Sequence, residues 1–194
     1  VLNEEGKLEV SFNVKSTYNQ EIVNITDIEV ELKDALVDGT YSTPIILDLD
    51  GDGIETISLA NGTEFDIDND GDIDLTGWVG ADDGLLVRDI NNDGIINDAS
   101  ELFGEETIKE DGKTASDGYD ALRELDSNED GVINENDDAF SELKIWQDGN
   151  SDGITDEGEL LGLKEANVSE ISLGTITSNE TSNGNVIGLK STYL

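Results

Sequence analysis

The sequence predicts an α+β fold: short strands and a few short helices arranged around several acidic loops. Three observations lead there. The pattern Asp-x-Asp/Asn-x-Asp-Gly recurs along the middle of the chain. Apolar residues make up 35% of the chain, yet they fall in short runs such as Pro44-Ile45-Ile46-Leu47 and Leu85-Leu86-Val87. Only three windows carry apolar residues at helical spacing.

Taken in order, Lys7 to Lys15 alternates through Leu8, Val10, Phe12 and Val14, and Ile22 to Leu32 does so loosely. Period-two alternation reads as strands, so residues 1–42 are expected to form a β-strand part. Residues 43–173 form the loop-bearing core, a string of acidic loops separated by short apolar segments. Within it, Asp117 to Leu125 is expected to be helical, with Ser116 as cap and Tyr119, Leu122 and Leu125 on one face. Asp138 to Leu143 reads as a turn or two of helix, and Glu157 to Asn167, with Leu160, Leu161 and Leu163, as the third helix. The tail, 174–194, is expected to pack on the same domain as two short strands around Asn183-Gly184, since Asn-Gly suits a tight hairpin turn. The chain starts at Val1 without an initiator Met and reads as a piece of something longer.

Charge narrows the function. Forty-seven Asp and Glu against ten Lys and Arg leave a formal net charge of −37. Self-repulsion on that scale disfavours a compact state without counterions. A halophilic surface would scatter its acids, whereas here they fall at two-residue steps, as bound cations require. The same field repels phosphate, so nucleic acid is not expected as a partner. Cys and His are both absent, which removes thiolate and imidazole ligands and the usual general base. Hard oxygen chemistry remains, suited to Ca²⁺ or Mg²⁺. No signal peptide, transmembrane run or lipidation motif is visible, and direct membrane insertion is not expected.

A calcium ion takes six to eight oxygens at about 2.3–2.6 Å, and a twelve-residue EF-hand-like loop supplies them from positions 1, 3, 5, 7, 9 and 12. Two stretches meet the whole pattern. One is Asp126, Asn128, Asp130, Gly131, Val132 (carbonyl), Asn134 and Asp137; the other is Asp148, Asn150, Asp152, Gly153, Ile154 (carbonyl), Asp156 and Glu159. A third, Asp89, Asn91, Asp93, Gly94, Ile95 (carbonyl) and Asn97, has Ser100 at position 12, with Glu101 one residue later. Asp48, Asp50, Asp52 and Glu55 form a fourth that lacks a distant acid. Asp66, Asp68, Asp70, Asp72 and Asp74 form a fifth with no single register. Asp82 and Asp83 could complete either of these from a distance. About five calcium ions are therefore expected.

Spacing separates this chain from the calcium sensors. The two complete loops leave only Asp138 to Gln147 between them, too little for the exiting and entering helices of paired EF-hands. Met, which lines the groove of such sensors, is absent. Trp78 and Trp146 read as core or loop-packing residues.

The run Pro44-Ile45-Ile46-Leu47-Asp48-Leu49-Asp50-Gly51-Asp52-Gly53-Ile54-Glu55-Thr56 resembles a segment of large secreted bacterial RTX proteins. The likeness continues through Thr76 to Val87, Glu101-Leu102-Phe103-Gly104, Asp117-Gly118-Tyr119, Leu125 to Asn128 and Ile145-Trp146-Gln147-Asp148. Two kinds of module share these motifs. One is the self-processing module of RTX toxins, which cuts the Asp-Pro bond just before this region through attack of the Asp carboxylate on its own carbonyl. Here Thr43 precedes Pro44, and a hydroxyl cannot form that anhydride, so no such enzyme activity is expected. The other is the peptide-binding domain of giant RTX adhesins, the ice-binding adhesin among them.

The adhesin resemblance implies a calcium-dependent peptide-binding module, extracellular at the bacterial cell surface and mediating adhesion. Its partners would be a peptide or protein on another cell, held through a C-terminal carboxylate, and neighbouring domains of the same adhesin. A calcium whose loop lacks its closing acid could accept that carboxylate. Asp48, Asp50 and Asp52, with Asp82 or Asp83, are the expected ligand site. The alternatives are a calcium-stiffened spacer and a degenerate self-processing module.

Overall fold

The computed structural model describes residues 42–194, which belong to one unit, Thr40–Leu194. The strands expected at Lys7–Lys15 and Ile22–Leu32 lie outside the described residues. At the centre is a four-stranded antiparallel sheet in the order β1-β6-β8-β9: β1 is Ile46–Leu47, β6 Gly84–Arg88, β8 Leu143–Trp146 and β9 Leu160–Gly162. Its strands divide two cores because successive side chains point to opposite faces. Leu47, Leu86 and Ile145 join Phe103, Ala121, Leu122, Ile133 and Phe140 on one side. Leu85, Val87 and Trp146 join Phe65, Trp78, Val79, Ile96 and Leu102 on the other. Burial on both faces is why Leu85-Leu86-Val87 is an unbroken apolar run rather than an alternating one.

Four two-stranded ribbons surround this sheet. β2 (Thr56–Ile57) pairs with β5 (Trp78–Val79), and β3 (Thr63–Phe65) with β4 (Asp74–Thr76). β7 (Val132–Asn134) pairs with β10 (Glu170–Ser172). β11 (Ile176–Ser182) and β12 (Asn185–Lys190) form a hairpin closed by Asn183 and Gly184, both at positive φ. The tip of the hairpin docks on β2. Asn185 donates to Thr56 Oγ1 and to the Ile57 carbonyl, each at 2.9 Å. Near the C-terminus, the Tyr193 hydroxyl donates to the Asp48 carbonyl.

The α+β expectation is not met: the described residues are mostly strands in small antiparallel sheets, with one short α-helix and a few 3₁₀ turns. That helix, α1, is Gly118–Arg123, and its cap is Asp117, whose side chain accepts from the Asp120 amide, rather than Ser116. Where a helix was expected at Asp138–Leu143 there is a 3₁₀ turn, Phe140–Glu142, that runs directly into β8. Glu157–Asn167 holds β9 followed by turns. Tertiary demand overrides leucine spacing there. Gly158 sits at φ +96, Glu159 is used by the preceding loop, and Leu160 and Leu161 pair with Trp146 and Ile145. Among the described residues no helix is long and apolar enough to cross a membrane.

Candidate metal centres

Five loops share one backbone shape. Counting each from its first Asp, position 4 lies in the left-handed region in all of them: Gly51, Asn69, Asn92, Glu129 and Ser151. Position 6 does too, at Gly53, Gly71, Gly94, Gly131 and Gly153. Glu129 and Ser151 hold a conformation that costs a residue with a Cβ about 1–2 kcal/mol, so the loop shape is imposed by its contacts. In every case the position-1 carboxylate accepts the position-6 amide: Asp48 from Gly53 at 3.0 Å, Asp66 from Gly71 at 3.1 Å, and Asp89, Asp126 and Asp148 from Gly94, Gly131 and Gly153 at 2.9 Å.

Three loops are then closed by one clamp. Glu101 accepts the Ile90 and Asn97 amides, both at 2.9 Å. Asp137 accepts those of Ser127 and Asn134 at 2.9 Å. Glu159 accepts Gly149 at 3.0 Å and Asp156 at 2.9 Å. Each closing carboxylate thus ties loop positions 2 and 9 together. Glu101 occupies the same place as the other two although it is one residue later. The extra residue is absorbed by the 3₁₀ turn Ala99–Glu101, capped by Asp98.

Opposing side chains also converge. Asn91 donates to Asn97 at 2.8 Å and Asn150 to Asp156 at 3.2 Å, across positions 3 and 9. Asn134 instead turns its Oδ1 to the Asn136 amide. Position 5 (Asp93, Asp130 and Asp152) receives the amide of position 7 (Ile95, Val132 and Ile154). Ile95 and Ile154 are exposed, so their main chain rather than their side chain serves the loop.

The two irregular loops solve closure differently. Oxygens of Asp48, Asp50 and Asp83 lie within 4.8 Å of one another, and so do those of Asp66, Asp68 and Asp70. Either group could hold a metal ion, and an all-oxygen donor set suits a hard divalent cation. Asp83 is fully buried and accepts the Glu55 amide at 2.7 Å. Burial pushes its carboxyl up, against the pull of the Glu55 and Leu49 amides. Asp83 Oδ1 and Asp68 Oδ1 are the buried side-chain oxygens without a hydrogen-bond partner among the described residues. Glu55, in contrast, stands outside with Asp52 and Asp82, whose charges raise its carboxyl. Asp52 is itself raised, first by Asp50. Asp72 is exposed, and Asp74 is pushed up by partial desolvation and by Asp68, Asp70 and Asp66. Glu106, which sequence reasoning missed, faces this second group: desolvation, then Asp68, Glu105 and Asp66, hold its carboxyl up. Its lack of any loop cadence hid it.

The tryptophans are bound into the Asp148 loop. Trp78 Nε1 donates to Asp148 Oδ2 at 2.7 Å, and Trp146 Nε1 to Glu159 Oε2 at 3.4 Å. The loops also hold each other. Thr63 Oγ1 donates to the Ser151 carbonyl at 2.8 Å, the Ile96 amide to Thr155 Oγ1 at 2.9 Å, and the Ala99 amide to the Asp66 carbonyl at 2.9 Å.

Residues 45–194 match a family model described as the SPM domain. Over 153 residues the chain is 48% identical to the "Iron-regulated protein FrpA" of Neisseria meningitidis serogroup C, a stretch covering 77% of this chain. The chain spans 14% of the length of that curated relative.

Proposed function

The chain belongs to the SPM domain family, and we propose that it works as a calcium-dependent peptide-binding module of a secreted bacterial RTX adhesin, mediating attachment at the cell surface. The calcium half of this reading is supported by the shared shape of the five loops. It is supported too by two groups, Asp48 with Asp50 and Asp83 and Asp66 with Asp68 and Asp70, whose oxygens lie within 4.8 Å of one another, a donor set that suits a hard cation. About five divalent ions would bring ten positive charges against the −37 formal charge, placed where the acids are densest. The observation that carries the binding half is the division of the Asp48 loop. Asp83 is fully buried, whereas Asp50, Asp52 and neighbouring Asp82 are exposed. A cation held there sits at the edge of solvent.

That edge supplies what the rest of the chain cannot. A peptide C-terminal carboxylate is repelled by so acidic a surface unless a bound cation inverts the local field. Asp50, Asp52 and Asp82 are the residues that would surround the ligand; Asp83 stays beneath them. The partner would be a peptide or protein on another cell, with neighbouring domains of the same adhesin on either side.

Peptide libraries with free and with amidated C-termini, screened in calcium and in chelator, test this. Preference for free termini that vanishes in chelator is expected. Equal binding of both forms rejects the carboxylate mechanism, and absence of any peptide binding leaves a calcium-stiffened spacer as the better reading.

Self-cleavage is not part of the proposal. Thr43, whose amide is held by Glu105 at 2.8 Å, offers a hydroxyl where the anhydride route needs a carboxylate. Intact mass after incubation with calcium should be unchanged; a fragment beginning at Pro44 would overturn this.

A further inference from the structure

We infer that Asp83, reaching across from the turn before β6, is the closing ligand of a cation site formed with Asp48 and Asp50, so that one ion joins β1 to β6. The inference rests on reading these loops as calcium sites and assigns the distant acid that the Asp48 loop lacks. Position 12 of that loop is Leu59, which is 58% exposed. It has no ligand to offer.

Strand register supplies the replacement. Leu47 pairs with Gly84 in β1–β6, so the next residues outward, Asp48 and Asp83, stand opposite each other. Like charges at directly opposed positions are destabilising, and one of these is completely buried. Among the described residues no ion pair involves Asp48, Asp50 or Asp83. The Tyr193 hydroxyl close by is used by the Asp48 carbonyl.

Protonation of Asp83 does not resolve the conflict well. Its Oδ2 accepts the Glu55 amide at 2.7 Å, which favours the anion. A proton on Oδ1 would need an acceptor, and among the described residues Oδ1 has no hydrogen-bond partner. A cation between Oδ1 and the Asp48 and Asp50 carboxylates satisfies all three with one group. Asp83 then does for this loop what Asp137 and Glu159 do for theirs. It ties down a loop amide on one side and adds a carboxylate oxygen from beneath the ion on the other, leaving the solvent side open, but from 28 residues beyond that amide. Asp82, exposed on the same turn, is not part of the closure.

Calcium titration calorimetry on the unaltered chain, Asp83→Asn and Asp82→Asn tests the assignment. Asp83→Asn should lose one ion from the stoichiometry, while Asp82→Asn keeps the full number. Unchanged stoichiometry in Asp83→Asn, with the unaltered chain binding calcium, overturns this inference alone. No calcium uptake by the unaltered chain overturns the calcium reading with it. If Asp83→Asn does not fold, a crystal structure of the unaltered chain in calcium decides. An ion within about 2.3–2.6 Å of Asp83 Oδ1, Asp48 and Asp50 supports the site; an ion bound without Asp83, or no ion there, refutes it.

Discussion

The indole N–H of Trp78 donates to Oδ2 of Asp148 across 2.7 Å, with both side chains buried. A residue of β5 thereby supports the first carboxylate of a loop 70 residues away. Asp148 also accepts the Asp152 and Gly153 amides, so the indole completes a cradle that fixes the direction of its oxygens.

Trp78→Phe removes that donor while retaining an aromatic ring against Phe65 and Trp146, whose centroids lie 5.2 and 5.5 Å from that of Trp78. A hydrogen bond to a charged group contributes about 1.5–3 kcal/mol. Calcium affinity of the Asp148 loop should therefore fall by about ten- to a hundredfold, the energy converted at about 1.4 kcal/mol per decade. Fluorescence of the remaining Trp146, which contacts Glu159 in the same loop, reports the titration. Unchanged affinity would mean that the indole only packs.

Glu101→Ala should be far more damaging than Ser100→Ala, although Ser100 holds the nominal position 12. Removing the Glu101 carboxylate takes the acceptor from the Ile90 and Asn97 amides, and a hydrogen bond to a charged group contributes about 1.5–3 kcal/mol. Among the described residues the hydroxyl of Ser100 bonds only to Asp98, the cap of the short turn. Denaturant unfolding in saturating calcium reads the stability of each variant, and calcium titration of the same variants reports the ion separately. Equal stability of the two variants would refute the clamp.

How far the sequence could be read follows from how local each feature is. Positions 1, 3, 5 and 6 of the loops lie within six residues, so their cadence was visible at Asp126 and Asp148, and even at Asp89 with its displaced acid. The Asn183-Gly184 turn was equally local. Asp83 was only one of two candidates, because what selects it is the pairing of β1 with β6, and Asp82 has the same chemistry. Nothing linear ties Glu106 to Asp68, or Trp78 to Asp148. The misread helix at Glu157–Asn167 fails for the same reason: Leu160, Leu161 and Leu163 fit a helical face, but β8 was waiting for a partner. The α+β class fell with it.

Chelation should loosen or unfold the domain. For a dissociation constant near 10⁻⁴ M, millimolar calcium adds about 1.4 kcal/mol per site, and about 7 kcal/mol over five. That is comparable with the whole stability of a typical domain. Far-ultraviolet circular dichroism and the thermal midpoint should both respond to EDTA and recover on adding calcium in excess. A spectrum and midpoint indifferent to EDTA would refute a calcium-dependent fold.

Away from the loops, the pair Lys109–Asp120, 2.9 Å apart, sets a pH dependence whose sign can be worked out. Lys109 and the Ser116 amide hold the Asp120 carboxyl below its ordinary value of 3.8. Folding therefore favours the ionised form, and this contribution is present above about pH 3.8 and is lost as pH falls through the lower, folded value. Lys109 is held above 10.5, chiefly by its hydrogen bond to Asp120. Its contribution is complete below about pH 10.5 and disappears as pH rises past the folded value. Asp120→Asn should remove the acid limb of the difference, and Lys109→Met should weaken both limbs. Because other carboxylates and any bound calcium also respond to acid, the measurement is the stability of each variant minus that of the parent, both in the same excess of calcium, across the pH range. A difference that stays constant from pH 2 to pH 6 would show that the ionised Asp120 of α1 adds nothing to folding through this pair.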